Sequence, residues 1–122
     1  LKACPAEVGD LIIPPGERRS VGSGIAIEPL EPGIAGFVFS RSGLGAVKGI
    51  TVAQGVGLID PDYRGEITVF LLNTSTQSYT IQRGERVAQL VFLPYTQACF
   101  SVVTALGQTG RGSGGFGHTG KK

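Results

Sequence analysis

Apolar and polar positions alternate in short bursts along this chain, and turn residues cut the bursts apart. Asp10 to Ile13 is a brief apolar run closed by Pro14-Pro15-Gly16-Glu17. Arg18 to Ile27 alternates loosely, with Val21, Ile25 and Ile27 set against Arg19 and the following Glu28. After Glu31-Pro32-Gly33 comes Gly36-Phe37-Val38-Phe39, and Ile50 to Ile59 resumes the pattern. A period of two predicts strands. Ile67 to Asn73 is nearly all apolar, and Val87 to Leu93 is interrupted only by Gln89; such runs predict strands buried on both faces. Ser78 to Ile81 is a further strand after the Thr74 to Gln77 turn. Past the Arg83-Gly84-Glu85 turn, Phe100 to Val103 is expected as the last core segment. One stretch, Ser42 to Val47, has a helical look: Ser42 as its cap, Leu44, Ala46 and Val47 along one side, Gly49 as its stop. Together these elements predict an all-β sandwich or barrel with one short helix.

From Gly107 onward the pattern is lost. Glycine dominates, and Phe116 is the one large apolar residue. A segment like this buries too little to fold on itself, so the expected division is a β domain over 1–106 and a glycine-rich arm over 107–122. The arm would be disordered, or ordered by a ligand or a neighbouring subunit.

Composition narrows the classes. The chain's 122 residues suit one domain with one core. Its 20 glycines and 7 prolines fit many short strands and turns. A net charge of +2 is too small to imply nucleic-acid binding, and no run is long enough to span a membrane. Cys4 and Cys99 are too few for a disulfide framework and lack metal-ligand spacing, which predicts reduced thiols in a cytoplasmic protein. His118 is the single histidine, so any site needing two is excluded.

Candidate chemistry concentrates in three stretches. Gly57 to Glu66 runs from an apolar strand end through Asp60-Pro61-Asp62-Tyr63-Arg64-Gly65 and into the next apolar run, which predicts a β-hairpin with chemistry at its tip. Asp60, a carboxylate at a strand end beside an aromatic ring, is suited to polarise a water. Capping the turn or pairing with Arg64 is the plainer role, and turn chemistry alone favours it. Arg41-Ser42-Gly43 offers a guanidinium, a hydroxyl and a free amide at a turn entering a helix, which suits phosphate, although the triplet alone is common and weak as a signal. In the tail, Arg111, Ser113, His118 and Thr119 surround Phe116 with donors, an arrangement suited to a nucleotide. The plainer alternative is an RNA-binding arginine–glycine tail, of which a single arginine makes a poor example. Gln89, expected to be buried, must find partners; a neighbouring strand and a ligand are equally good ones on pattern alone. Gly115 to Lys122 nearly matches a phosphate loop, but Lys122 stands where Ser or Thr belongs and no helix follows, so that reading is rejected.

Taken in order, Ser40-Arg41-Ser42-Gly43-Leu44-Gly45, Gly57 to Glu66, Arg83 to Leu90 and Arg111 to Gly120 resemble motifs two to five of the trimeric deoxyuridine triphosphate pyrophosphatases (dUTPases). Ser40 replaces the family's usual proline, and Gln54 stands where asparagine is common. Leu1-Lys2-Ala3 looks like the end of the first motif, Asp-Leu-x-Ala. Its aspartate, which orders the metal's waters, is not in this sequence, so the resemblance implies either residues before Leu1 or altered metal handling.

The resemblance implies a jelly-roll-like β-sandwich or distorted barrel, a homotrimer with shared sites, and Mg²⁺-dependent hydrolysis of dUTP to dUMP and pyrophosphate. That reaction keeps uracil out of DNA and supplies dUMP for thymidylate synthesis. It implies no direct protein ligand for Mg²⁺, which the substrate phosphates and waters hold. It gives Asp60 the attacking water, and it gives Arg41, Ser42, Gly43, Gln89, Arg111, Ser113, His118 and Thr119 the phosphates. Gln54, Gly57, Ile59, Tyr63, Phe116 and Gly117 would take uracil and deoxyribose. The related dCTP deaminases and their bifunctional forms share a similar Ile-Asp-Pro stretch but carry a catalytic glutamate about where Phe70 stands. A non-catalytic β-sandwich module of the same fold is the remaining alternative.

Overall fold

The computed structural model describes residues 1–5 and 9–115. Among these lie β1 (Leu11–Ile13), β2 (Arg18–Gly22), β3 (Ile34–Ser40), α1 (Ser42–Lys48), β4 (Ile50–Val52), β5 (Val56–Ile59), β6 (Thr68–Asn73), β7 (Tyr79–Ile81) and β8 (Ala88–Pro94). All pairing is antiparallel. β1 pairs with β7, β6 lies between β2 and β4, and β3 lies between β5 and β8. One core joins the sheets: Ile13, Val21, Val38, Leu44, Ile50, Leu71, Ile81 and Val87 pack in a single buried cluster. The all-β expectation therefore holds, with its single short helix.

Glycines punctuate it. Gly16, Gly33 and Gly84 take left-handed φ values in the three turns expected around Pro15, Pro32 and Arg83. Gly49 ends α1 at φ 72°, donating its N–H to Leu44 O.

Several expectations fail, each for a local reason. The strand expected over Arg18 to Ile27 stops at Gly22, because Gly24 adopts φ 69° and its N–H turns to the Glu66 carboxylate. The residue at the helix N-cap is Arg41 rather than Ser42. Arg41 is extended and its carbonyl accepts from Leu44 and Gly45, while no side chain caps the turn. A helix of seven residues makes barely two turns, so Leu44 alone is buried and Ala46 and Val47 face out. β6 is not buried on both faces. Val69, Leu71 and Asn73 point into the core and Phe70 points away, 52% exposed.

β8 departs furthest. Only Ala88 is buried and Leu90 half-buried, while Val91, Phe92 and Leu93 are exposed. Phe100 to Val103 is no core segment either: Phe100 is 93% exposed and Val102 wholly so. Nothing in this chain lies over them among the described residues. The hairpin expected across Gly57 to Glu66 is also absent, because β5 and β6 belong to different sheets and the charged turn crosses between them.

Asn73 pins the edge of the core. Fully buried, its amide donates to Ile13 O (2.8 Å) and Gln77 O (2.7 Å), and its Oδ1 accepts from the N–H and hydroxyl of Ser75. Asn73→Ala strands these partners, so denaturant unfolding should show a loss of about 2–4 kcal/mol. A change within about 0.5 kcal/mol, the usual surface value, would contradict that role.

Candidate active site

β5 runs antiparallel to β3, with Gly57 opposite Val38 and Ile59 opposite Gly36. Its other side is the open edge of the sheet. Gly57 is buried, and a Cβ there would stand 3.2 Å from Val38 Cβ and 3.2 Å from Gln54 Nε2, so glycine keeps this approach open. Gln54 sits in the turn before β5, beside a cavity of about 400 Å³ that it lines with Arg18, Ala53 and Phe70.

Where β5 ends, Asp60 opens a tight turn. Its carbonyl accepts the Tyr63 N–H at 3.1 Å. The Tyr63 ring folds back over Gly65, and its hydroxyl donates to Glu66 O at 3.0 Å. A Cβ on Gly65 would come within 2.6 Å of Tyr63 Cζ, which only glycine avoids. Asp60, Tyr63, Leu58, Ile59, Glu66 and Thr68 line a pocket of about 280 Å³. Among the described residues, no hydrogen bond or ion pair engages the Asp60 carboxylate. Arg64, its expected structural partner, pairs with Glu28 instead, at 3.2 Å.

A second set gathers at the other end of β3. Arg41 Nη1 donates to Arg86 O at 2.6 Å, and Gln89 Nε2 to Ser40 O at 3.1 Å. Ser40 Oγ in turn accepts the Val52 N–H at 2.8 Å. Ser42 and Gly43 are exposed in the first turn of α1. Gln89 is exposed rather than buried, so the desolvation argument for it fails; its amide bonds the neighbouring strand in this chain.

The two sets leave β3 at points four residues apart. Ile59 is held opposite Gly36, and Ala88, beside Gln89, opposite Ser40. At roughly 3.3 Å per residue, those points on β3 lie about 13 Å apart. Arg111 and Ser113 are exposed, in turns closed by Gly112 N–H to Thr109 O and Gly114 N–H to Arg111 O, each 3.0 Å. Phe116, Gly117, His118 and Thr119 lie outside the described residues.

A family model described as dUTPase matches residues 7–120. The chain belongs to the dUTPase family. It is 49% identical to the deoxyuridine 5'-triphosphate nucleotidohydrolase of Psychromonas ingrahamii over 121 residues, 99% of this chain and 79% of that protein. A crystal structure of dUTPase from Streptococcus mutans matches with a TM-score of 0.71 at 28% identity, over 82% of this chain and 79% of that one. The fold also matches a mutant Staphylococcus bacteriophage 80alpha dUTPase with dUpNHpp, with a TM-score of 0.83 at 23% identity over 98% and 84% of the two chains. These neighbours make the sandwich a dUTPase jelly roll.

Sequence reasoning missed two residues that shape this turn. Glu66 Oε1 accepts the Gly24 N–H at 2.7 Å while its residue lines the Asp60 pocket, and Glu28 reaches Arg64 from the β2–β3 connection. The first was legible as a charge inside a motif. The second lies 36 residues from its partner and left no local signal.

Gly65→Ala should push the Tyr63 ring off its Glu66 contact. Nitration by tetranitromethane, mapped by peptide mass, should then run several-fold faster at Tyr63 than in the parent chain, with the other tyrosines unchanged. Equal rates at Tyr63 would show that the ring does not depend on this glycine.

Proposed function

We propose that this chain hydrolyses dUTP to dUMP and pyrophosphate, with water attacking the α-phosphorus, and that it does so as a homotrimer in the cytoplasm. One observation carries the reading: a carboxylate, Asp60, with no partner among the described residues, and a tyrosine ring held over glycine share one pocket at the end of an open strand edge, in a chain of the dUTPase family. Asp60 orients and deprotonates the water. Tyr63 lies under the sugar and leaves no room for a 2′-hydroxyl. The open edge of β5 suits a base with alternating acceptors and a donor, so Gln54, Gly57 and Ile59 read uracil, chiefly through backbone groups. Arg41, Ser42, Gly43 and Gln89 hold the inner phosphates. Residues 107–122 form an arm in which Arg111, Ser113, His118 and Thr119 hold the outer phosphates, with Phe116 and Gly117 over the base.

Among the described residues, no three His, Cys, Asp or Glu side chains group closely enough to hold a metal ion. We infer that Mg²⁺ arrives as an ion carried by the substrate's phosphates and its own waters, to which the Asp60 carboxylate offers an acceptor. When bound, Mg²⁺ supplies neutralisation of phosphate charge.

Two observations support the trimer. The inner-phosphate set and Asp60 stand on opposite ends of β3 in one chain. Between Val91 and Leu106, several large apolar side chains also stay exposed among the described residues, as expected of a surface that packs against a partner. Copies packed through that surface bring one chain's Asp60 to another's Gln89. A deaminase is not favoured, because the phenyl ring of Phe70 has no proton to exchange.

Asp60→Asn keeps the turn's shape and removes the base. Binding of a non-hydrolysable dUTP analogue should persist while kcat falls by about 10²–10⁴. Near-normal turnover would take Asp60 out of the mechanism, and ammonia release from dCTP by the parent chain would replace the proposed reaction with deamination.

A further inference from the structure

The turn that holds Asp60 and Tyr63 is exposed and belongs to neither sheet, so something must hold its shape. Arg64 does this from outside. Its Nη1 donates to Pro61 O at 2.7 Å and to Tyr63 O at 3.2 Å, and its Nη2 to Glu28 Oε1 at 3.2 Å. One planar guanidinium thus ties two carbonyls of the turn to the connection between β2 and β3. We propose that Arg64 is a positioning residue that fixes the Asp60–Tyr63 turn, with Glu28 as its anchor. This rests on the roles given above to Asp60 and Tyr63.

The geometry separates this role from two simpler ones. A plain surface ion pair would contribute little and would leave the turn carbonyls alone. A direct phosphate ligand would turn its fork outward to the substrate, whereas here three N–H groups of one guanidinium face the turn and Glu28 at once. Lysine can replace it only in part, because a single ammonium lacks the rigid fork that spans Pro61, Tyr63 and Glu28 together. The contacts leave the Asp60 carboxylate untouched, so Arg64 acts on where it sits. Small displacements of a reacting group carry large rate penalties.

Three variants test this: Arg64→Ala, Arg64→Lys and Glu28→Gln. Two readouts are needed: kcat and KM for dUTP, and hydrogen exchange of the peptide spanning 58–66 without nucleotide. Arg64→Ala should lower kcat by about 10- to 100-fold with little change in KM. Arg64→Lys should recover only part of it. Glu28→Gln, which leaves the Arg64 charge in place and weakens its anchor to a neutral amide acceptor, should lower kcat several-fold in the same direction. Exchange should quicken in 58–66 in all three and stay as before elsewhere. A rise in KM with kcat intact for Arg64→Ala, together with a silent Glu28→Gln, would make Arg64 a phosphate contact and overturn the proposal. Unchanged exchange in 58–66 would overturn it as well. If the parent chain does not hydrolyse dUTP, the functional reading fails by itself, and the exchange data still decide whether Arg64 holds the turn.

Discussion

The pairing of β3 on both sides is the constraint on which the rest depends. β5 is hydrogen-bonded along one flank, with Ile59 opposite Gly36, and β8 along the other, with Ala88 opposite Ser40. That register sends the Asp60 turn off one end of the strand and the Arg41–Ser42–Gln89 group off the other. A strand is stiff and its rise per residue is fixed by its backbone. No side-chain rotation closes a gap of about 13 Å set by four strand residues. On the proposed reading, a site that uses both groups draws them from different copies.

The exposed apolar surface follows the same logic. Val91, Phe92 and Leu93 extend a strand whose first residue, Ala88, is in the core, and Tyr95, Phe100 and Leu106 continue the apolar character, exposed among the described residues. Folding one chain alone leaves that surface in water, at an unfavourable free energy proportional to its area. Association through it would bury that area and join the separated groups in one step. On the proposed reading, stability and activity then share a single requirement.

The sequence was legible where local chemistry decides local structure. Turns at Gly16, Gly33, Gly49 and Gly84 were visible because left-handed backbone there asks for glycine. The turn at Asp60 was visible because Pro61 and Gly65 bracket charges between two apolar runs. What stayed hidden depends on partners distant in sequence. An apolar run shows that something must cover Val87 to Leu93, but not whether that cover belongs to the same chain. Alternation in Ile67 to Asn73 was masked because Phe70 and Leu72 are apolar on the outward side. Gln89 looked buried for the same reason, as its apolar neighbours on β8 are themselves exposed. The crossing of Gly57 to Glu66 between sheets, read as a hairpin, was fixed by pairings with β3, β2 and β4 that no window around the turn contains.

The central claim, that a complete site takes Asp60 from one copy and the Ser42–Gln89 group from another, has a direct measurement. One preparation carries Asp60→Asn, and the other carries Ser42→Ala with Gln89→Ala. The two are unfolded together, refolded, and assayed for pyrophosphate release from dUTP, with mixed assemblies confirmed by native mass spectrometry. In a cyclic assembly with head-to-tail contacts, equal mixing gives about a quarter of the sites one good part from each chain, so activity should return to roughly a quarter of the parent level. If mixed assemblies form and remain as inactive as the separate preparations, each site is completed within one copy and the account is wrong.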